Sequence, residues 1–484
     1  MFIKKLDEAK PLVTFSDLFL LPGKTDVDPD FVDLRTKITR KITLNSPFVA
    51  SPMDTVTGAD MAIAMARQGG IGILHRNCSI EQEVKMAQKV KRAESFVMKD
   101  VITISPDITI GEAKQLMREN NISGLPVVGN ESSVIGILTK RDVRFADNDS
   151  LVSDMMTAKV VSARSDLSLE DAKKLLHKHR IEKLVVVDDD DHLEGLVTVK
   201  DIERRGKYPL STRDDEGSLS LGAAIGPFDE SRALALDPYV DVFVIDLAHG
   251  HNMNAVKSAA RIAKKVSAEI IYGNLGSDHA VADIVSVMED VAGLRVGIGS
   301  GAICSTSVVT KASAPTLFST IQVASGVKEL GLDIPVISDG GIKNPGDAAL
   351  CFAAGASAVM MGSMFAGCRE SPGKLLAIEG KMMKSYRGMG SRGAKAVRYA
   401  LDRYSKPAKG IPEGVEGFVP FRGTVADVVD EFAGGLRAAF GYAGAGAIND
   451  MWIKAQFGKI SSQGIRETTP HDILISPSPN DKYS

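Results

Sequence analysis

Short apolar runs ending in Gly, Ser, Asp or a similar turn-former recur along the chain. They lie at 47–52 (PFVASP), 69–75 (GGIGILH), 219–226 (LSLGAAIG), 240–246 (VDVFVID), 269–274 (EIIYGN), 294–299 (LRVGIG), 334–339 (IPVISD) and 357–362 (SAVMMG). Near-continuous rather than alternating apolar strands belong to parallel sheets covered on both faces. Helix-like stretches separate many of these runs, so the pattern predicts an α/β fold, a (β/α)₈ TIM barrel. A doubly wound open sheet is the alternative topology, but none of these runs is followed by a GxGxxG dinucleotide fingerprint.

The interval between the second and third runs is too long for a barrel loop, and it holds an internal repeat. Asp107–Ala113 leads to Leu125–Val128 and then to Gly136–Val143; Asp166–Ala172 leads to Leu184–Val187 and then to Gly195–Ile202. Matched threonines and aspartates keep one spacing, since 198 − 139 and 201 − 142 both give 59. Each half reads strand, helix, strand, strand, helix, and two such units are expected to pack on one another. The repeat resembles a tandem pair of CBS domains. That resemblance implies regulatory purine nucleotides contacting Thr139, Asp142, Thr198 and Asp201; simple helix capping by the two aspartates is the competing reading. The expected organisation is a first barrel part at 1–93, the CBS pair at 94–205 (about 94–150 and 151–205), and the rest of the barrel with a flap and C-terminal segment at 206–484. The run Asp188–Asp191 reads as a solvated hairpin turn.

Composition narrows the class without naming it. The 484 residues are 44% hydrophobic and 25% charged with a net charge of −3, which describes a globular chain with no specific affinity for nucleic acid or anionic membranes. Four scattered cysteines fit neither a disulfide framework nor a zinc site, and reduced thiols fit a cytoplasmic protein. The N-terminus turns acidic before any apolar core, unlike a signal peptide, and no apolar stretch is long enough to span a bilayer. His249-Gly250-His251 has no accompanying ligand cluster, so zinc is rejected there.

Chemistry gathers at the strand ends. Cys304 follows Gly299-Ser300-Gly301, where the backbone must bend and present a thiol at the rim of the sixth strand. Taken alone it is more often a small buried hydrophobe. Strands seven and eight end in Asp339-Gly340-Gly341 and Gly362-Ser363, where (β/α)₈ barrels commonly bind phosphate, and Asp339 beside them suits sugar hydroxyls. Asp246 and Asn274 end strands four and five on the same face.

These pieces, with Tyr386-Arg387-Gly388-Met389-Gly390-Ser391 and Pro412–Gly417, run in order along essentially the whole chain and resemble the inosine-5′-monophosphate dehydrogenase family. Guanosine-5′-monophosphate reductases share the barrel and cysteine loop; Asp402-Arg403-Tyr404 resembles the dehydrogenase flap. The resemblance implies NAD-dependent oxidation of inosine 5′-monophosphate (IMP) to xanthosine 5′-monophosphate in guanine nucleotide synthesis. Cys304 would form a covalent thioimidate, Arg403 would act as base, and Thr306 and Tyr404 would assist. It further implies nucleotide binding by Asp339, Gly340, Gly341, Gly362, Ser363, Tyr386, Gly388, Met389, Gly390 and Glu413. The NAD side would be Asp246, Asn274, Gly297 and Gly299. Potassium would be held at Gly299, Gly301 and Cys304, with Glu467, Thr468 and Thr469 of a neighbouring subunit, in a homotetramer with octamers left open. Ala302 stands where the family usually has a phosphate-binding serine, which implies one hydrogen bond fewer, and Ser307 replaces a commonly larger polar residue. Two alternative functions are a reductase that deaminates guanosine 5′-monophosphate with NADPH, and a non-catalytic CBS-regulated nucleotide sensor.

Overall fold

In the computed structural model, residues 2–93, 98, 101–120, 122–164, 167, 169–397, 399, 411–461 and 463–471 are described. Eight strands close into a parallel barrel: β1 (Phe48–Ala50), β2 (Ile71–Leu74), β3 (Gly222–Ile225), β4 (Val242–Ile245), β5 (Glu269–Leu275), β6 (Gly293–Val296), β7 (Val336–Asp339) and β8 (Ala358–Met361). Closure comes from β8 on β1, with Val359 opposite Phe48 and Met361 opposite Ala50. A strand falls on every predicted apolar run, overrunning it by one residue at Leu275 and at Gly293. β6 stops at Val296, short of the expected Gly299, because Gly297 and Gly299 turn to left-handed φ of 114° and 80°.

Both faces of the strands are apolar because both are covered. Inward-facing Val49, Ile71, Ile73, Ala224, Val242, Val244, Ile271, Ile337, Ala358 and Met360 fill the barrel, with Ile38 and Leu44 from a small hairpin among them. Alternate residues Phe48, Ala50, Val359 and Met361 face outward against Val428, Phe432, Leu436 and Phe440 of the helix Val425–Ala443. Phe48 and Phe432 meet edge to face at 6.0 Å. A Thr424–Asp427 capping box starts that helix and Gly444, at φ 71°, ends it.

The chain divides into two units: residues 1–90, 210–214 and 220–484 with the barrel, and residues 91–209 with 215–219. The expected boundary at 205 falls inside a helix, Val199–Lys207. The second unit contains the repeat. Its first half has the helix Ile110–Glu119 and the strands Gly124–Val128 and Val134–Thr139. Its second half has Leu169–His179, Lys183–Val187 and Leu193–Thr198. The expected pattern differs at two places, both in the first half: an isolated bridge at Ile104 stands for its leading strand, and among the described residues its closing helix is replaced by turns. The second half ends in Val199–Lys207, whereas turns follow Thr139 in the first. There the Asp142 carboxylate accepts from both the backbone N–H and the hydroxyl of Thr139, each at 2.7 Å, and closes a turn. Among the described residues no helix is long and apolar enough to cross a membrane.

Candidate active site

The strand ends of the barrel open on one pocket of about 850 Å³. Its wall includes Ser51 and Met53 after β1, Asn274 on β5, Arg295 on β6, the 297–304 loop with Thr306, Asp339 and Gly340 at β7, and Gly362 after β8. Tyr386, Gly388, Met389, Gly390 and Glu413 complete it.

Cys304 is the one cysteine of four that is not buried. Burial pushes the thiols of Cys78, Cys351 and Cys368 up to about 12, so those three stay protonated and inert. The Cys304 thiol lies 3.2 Å from the Thr306 hydroxyl, which donates to Glu413 Oε2 at 2.9 Å. The loop is held by Cys304 N–H on the Gly301 carbonyl (2.9 Å) and Ser305 N–H on the Glu413 carbonyl (3.2 Å). Thiol, hydroxyl and carboxylate thus form a line along which the thiol proton can pass to a carboxylate, leaving a nucleophile.

The neighbouring part of the wall is ionic. Arg295 reaches Asp339 through Nε (3.0 Å) and a terminal nitrogen (2.8 Å), and Asn274 Nδ2 donates to the same carboxylate oxygen at 2.9 Å. Behind them Arg295 faces Asp246 at 3.5 Å, and Asp246 faces Arg76 at 3.4 Å. Arg76 and Asp246 are each 1% exposed, so two cations and two carboxylates are packed in alternation. Buried charges of this kind persist only when paired.

Glycines shape the cradle. Gly340 sits at φ 91°. A side chain at Gly362 would meet the Tyr386 hydroxyl at 2.7 Å, so only glycine lets that phenol lie over the end of β8. Tyr386 is buried, with Met53 Sδ 3.7 Å from its hydroxyl, and burial drives its pKa upward, which keeps it a hydrogen-bond donor.

Of the residues expected from sequence, Cys304, Thr306, Asp339, Gly340, Gly362, Tyr386, Gly388, Met389, Gly390, Glu413, Asn274, Gly297, Gly299 and Gly301 come together at the wall. Asp246, Gly341 and Ser363 are set back from it: Asp246 in the ion chain, Gly341 at φ 77° behind Gly340, and Ser363 opening the helix Ser363–Ala366. Arg403 and Tyr404 lie outside the described residues. Glu467 ends the helix Gly464–Glu467, and Thr468 and Thr469 follow it, all exposed. Ala302 is exposed; Ser307 donates to the Gly299 carbonyl at 3.1 Å. Sequence reasoning missed Arg295, Ser51 and Met53. An arginine inside an otherwise apolar strand was the available signal for the first.

In the second unit Thr198 is half-buried and the side chain of Asp201 lies outside the described residues. Lys183 crosses Gly124, whose missing side chain leaves the room: a Cβ there would meet Lys183 Cδ and Cε at 2.8 Å. Lys183 is half-buried, and burial lowers its pKa, with Lys200 and Lys140 nearby adding to the effect. Asp188, Asp190 and His192 form the one metal-type grouping among the described residues, on the hairpin turn, with His192 already against Asp188 at 3.0 Å. His251 pairs with Asp283 at 2.8 Å.

Residues 12–471 match the IMP dehydrogenase / GMP reductase domain. The chain is similar to the inosine-5′-monophosphate dehydrogenase of Korarchaeum cryptofilum, 51% identical over 97% of this chain and 98% of that one. It is also similar to that of Thermoplasma acidophilum, 47% identical over 100% and 99%. Among solved structures it resembles GMP reductase from Trypanosoma brucei in complex with guanosine 5′-monophosphate, with a TM-score of 0.86 at 35% identity, covering 97% of this chain and 100% of that chain.

Proposed function

The chain belongs to the IMP dehydrogenase / GMP reductase family, and on that premise we propose that it oxidises IMP to xanthosine 5′-monophosphate with NAD, for guanine nucleotide synthesis. The observation that carries the reading is the Cys304–Thr306–Glu413 line in one pocket wall with Asp339 and the Gly340–Gly362 cradle. Asp339 accepts ribose hydroxyls, while Gly340, Gly341, Gly362, Ser363 and Tyr386 hold the phosphate. Gly388, Met389, Gly390 and Glu413 face the purine. Cys304 Sγ bonds to C2 of the hypoxanthine ring, and hydride leaves C2. Water then displaces the sulfur, with Arg403 as base and Tyr404 assisting.

NAD, when bound, supplies the hydride acceptor. Asn274 fits that side: its buried Oδ1 has no hydrogen-bond partner among the described residues and seeks a donor. Gly297 and Gly299 border it, and Asp246 acts from behind through Arg295. The carbonyls of Gly299, Gly301 and Cys304 are hard oxygen donors of the type potassium takes. The first two already accept one hydrogen bond each, and a carbonyl has two lone pairs. Glu467, Thr468 and Thr469 of a neighbouring subunit complete that site in a cytoplasmic homotetramer.

Residues 94–205 act as a CBS pair that binds purine nucleotides through Thr139, Asp142, Thr198 and Asp201. The half-buried Lys183, Lys140 and Lys200 supply positive charge for phosphates.

The Thr306–Glu413 pair would serve deamination of guanosine 5′-monophosphate as well, so the reductase reading is retained as the rival. One assay separates them: NADH formation from IMP and NAD, with and without potassium, is expected. Ammonia release from guanosine 5′-monophosphate and NADPH, without the first reaction, would overturn the proposal. A thiol adduct trapped with IMP, absent in Cys304→Ala, excludes a non-catalytic sensor.

A further inference from the structure

Between Tyr386 and Gly388, both on the pocket wall, Arg387 serves a different neighbour. Its guanidinium grips Asp54 with Nε at 3.0 and 3.2 Å and a terminal nitrogen at 2.6 Å, and its backbone N–H donates to the Thr55 hydroxyl at 3.2 Å. The Asp54 side chain is only 5% exposed. It follows directly on Ser51, Pro52 and Met53, which form the pocket wall after β1. Asn77, after β2, donates one amide to both sides of this junction, to Asp54 Oδ2 at 2.8 Å and to the Ala394 carbonyl at 3.2 Å. Among the described residues the buried Asn77 amide oxygen has no hydrogen-bond partner. An unsatisfied buried acceptor is unfavourable, so the residue is better explained by what its NH₂ group joins than by packing.

The junction therefore ties three segments: the β1 loop, the β2 loop and the strand-to-turn segment 381–394. Two of them are pocket walls, and Tyr386 lies against Met53 across the join. A planar guanidinium held at both carboxylate oxygens fixes distance and orientation together, which a single hydrogen bond does not.

We propose that Arg387, Asp54 and Asn77 are positioning residues that set the separation of the Met53 and Tyr386–Gly390 walls, and so the affinity for the purine nucleoside monophosphate. None of the three contacts the nucleotide in this scheme. The inference rests on the pocket being a nucleotide site, as proposed above, but it does not depend on whether oxidation or deamination follows.

The test compares Arg387→Gln, Asp54→Asn, their double variant and Arg387→Lys in the full-length protein. Dissociation constants are measured by calorimetry for IMP and for guanosine 5′-monophosphate, alongside the KM for the dinucleotide. Each single variant is expected to bind its nucleotide about tenfold more weakly, with the double variant no worse than either single. Arg387→Lys keeps the charge without the fork and should recover only part of the loss. The dinucleotide KM should stay within about twofold, which a general loss of structure would not allow. Unchanged nucleotide affinity in both singles, or fully additive losses in the double, would overturn the tie. If Arg387→Gln does not fold, Asp54→Asn with Asn77→Ala carries the same cycle. Should the wild-type protein bind neither nucleotide, the pocket reading itself fails, an outcome visible before any variant is made.

Discussion

The two walls of the pocket are built on opposite principles. Asp339 stands on a chain of alternating charges, Arg295, Asp246 and Arg76, that is almost wholly buried. Cys304 stands on a glycine-bent loop, half-exposed, and its partners Thr306 and Glu413 are reached through a hydroxyl relay. The first wall can hold a polar group in one place but has no freedom to change. The second is held through its backbone, by Cys304 N–H on Gly301 and Ser305 N–H on Glu413, and leaves a thiol and a hydroxyl on the pocket wall to shift a proton and meet a reacting atom. Binding and chemistry are thereby assigned to neighbouring parts of one strand-end wall, joined where Asn274 Nδ2 donates to the Gly297 carbonyl at 2.8 Å.

Three substitutions would break or sharpen that division. The largest effect is expected from Cys304→Ala, with kcat/KM falling on the order of 10⁴-fold or more while the denaturant midpoint stays put. Loss of stability there would mean that the loop is structural after all. Arg295→Met should do the reverse in kind. It leaves Asp246 and Asp339 without their shared cation and should cost about 3–5 kcal/mol of stability, read from urea unfolding. A stable, active Arg295→Met protein would show that the ion chain carries no such role. The rigid side continues behind the wall at His75, where burial lowers the imidazole pKa to about 4, opposed by nearby Asp54 and reinforced by Arg232 and Arg387. The unfolded chain, with an ordinary histidine pKa, binds the extra proton first. Stability should therefore be full above about pH 6.5 and fall as pH drops toward 4, by about 3 kcal/mol in all. His75→Gln should flatten the thermal midpoint over that window.

The barrel was legible because parallel strands covered on both faces leave uninterrupted apolar runs, and a strand falls on each of the eight. What the periodicity could not show was which way a polar residue at a strand end would face. Asp246 and Asp339 end the fourth and seventh runs with the same residue type, yet Asp339 reaches the pocket and Asp246 is spent on two arginines. Arg295 was hidden for the complementary reason: in LRVGIG it reads as an intrusion in an apolar strand, and only the closed barrel brings both carboxylates to it. Glu413 was placed by resemblance alone, since no local spacing links it to Thr306 more than a hundred residues earlier. In the repeat, the identical Thr-x-x-Asp spacing concealed a difference. Asp142 bends the chain at Thr139, whereas the second half continues into a helix.

The smallest expected effect is the most informative about the reactive wall. Glu413→Gln preserves shape and can still accept the Thr306 hydrogen bond, but it removes the charge at the end of the relay. If the carboxylate serves as a proton sink, kcat should fall by about 10²-fold with stability unchanged. Thr306→Val, which cuts the same line one atom earlier, should cost a similar amount, and the double variant little more, because both interrupt one path. Unequal, additive losses would mean that Thr306 and Glu413 act separately, one on the thiol and the other on the purine. The Cys304 wall would then divide further into a nucleophile with its own hydroxyl partner and an independent reader of the base.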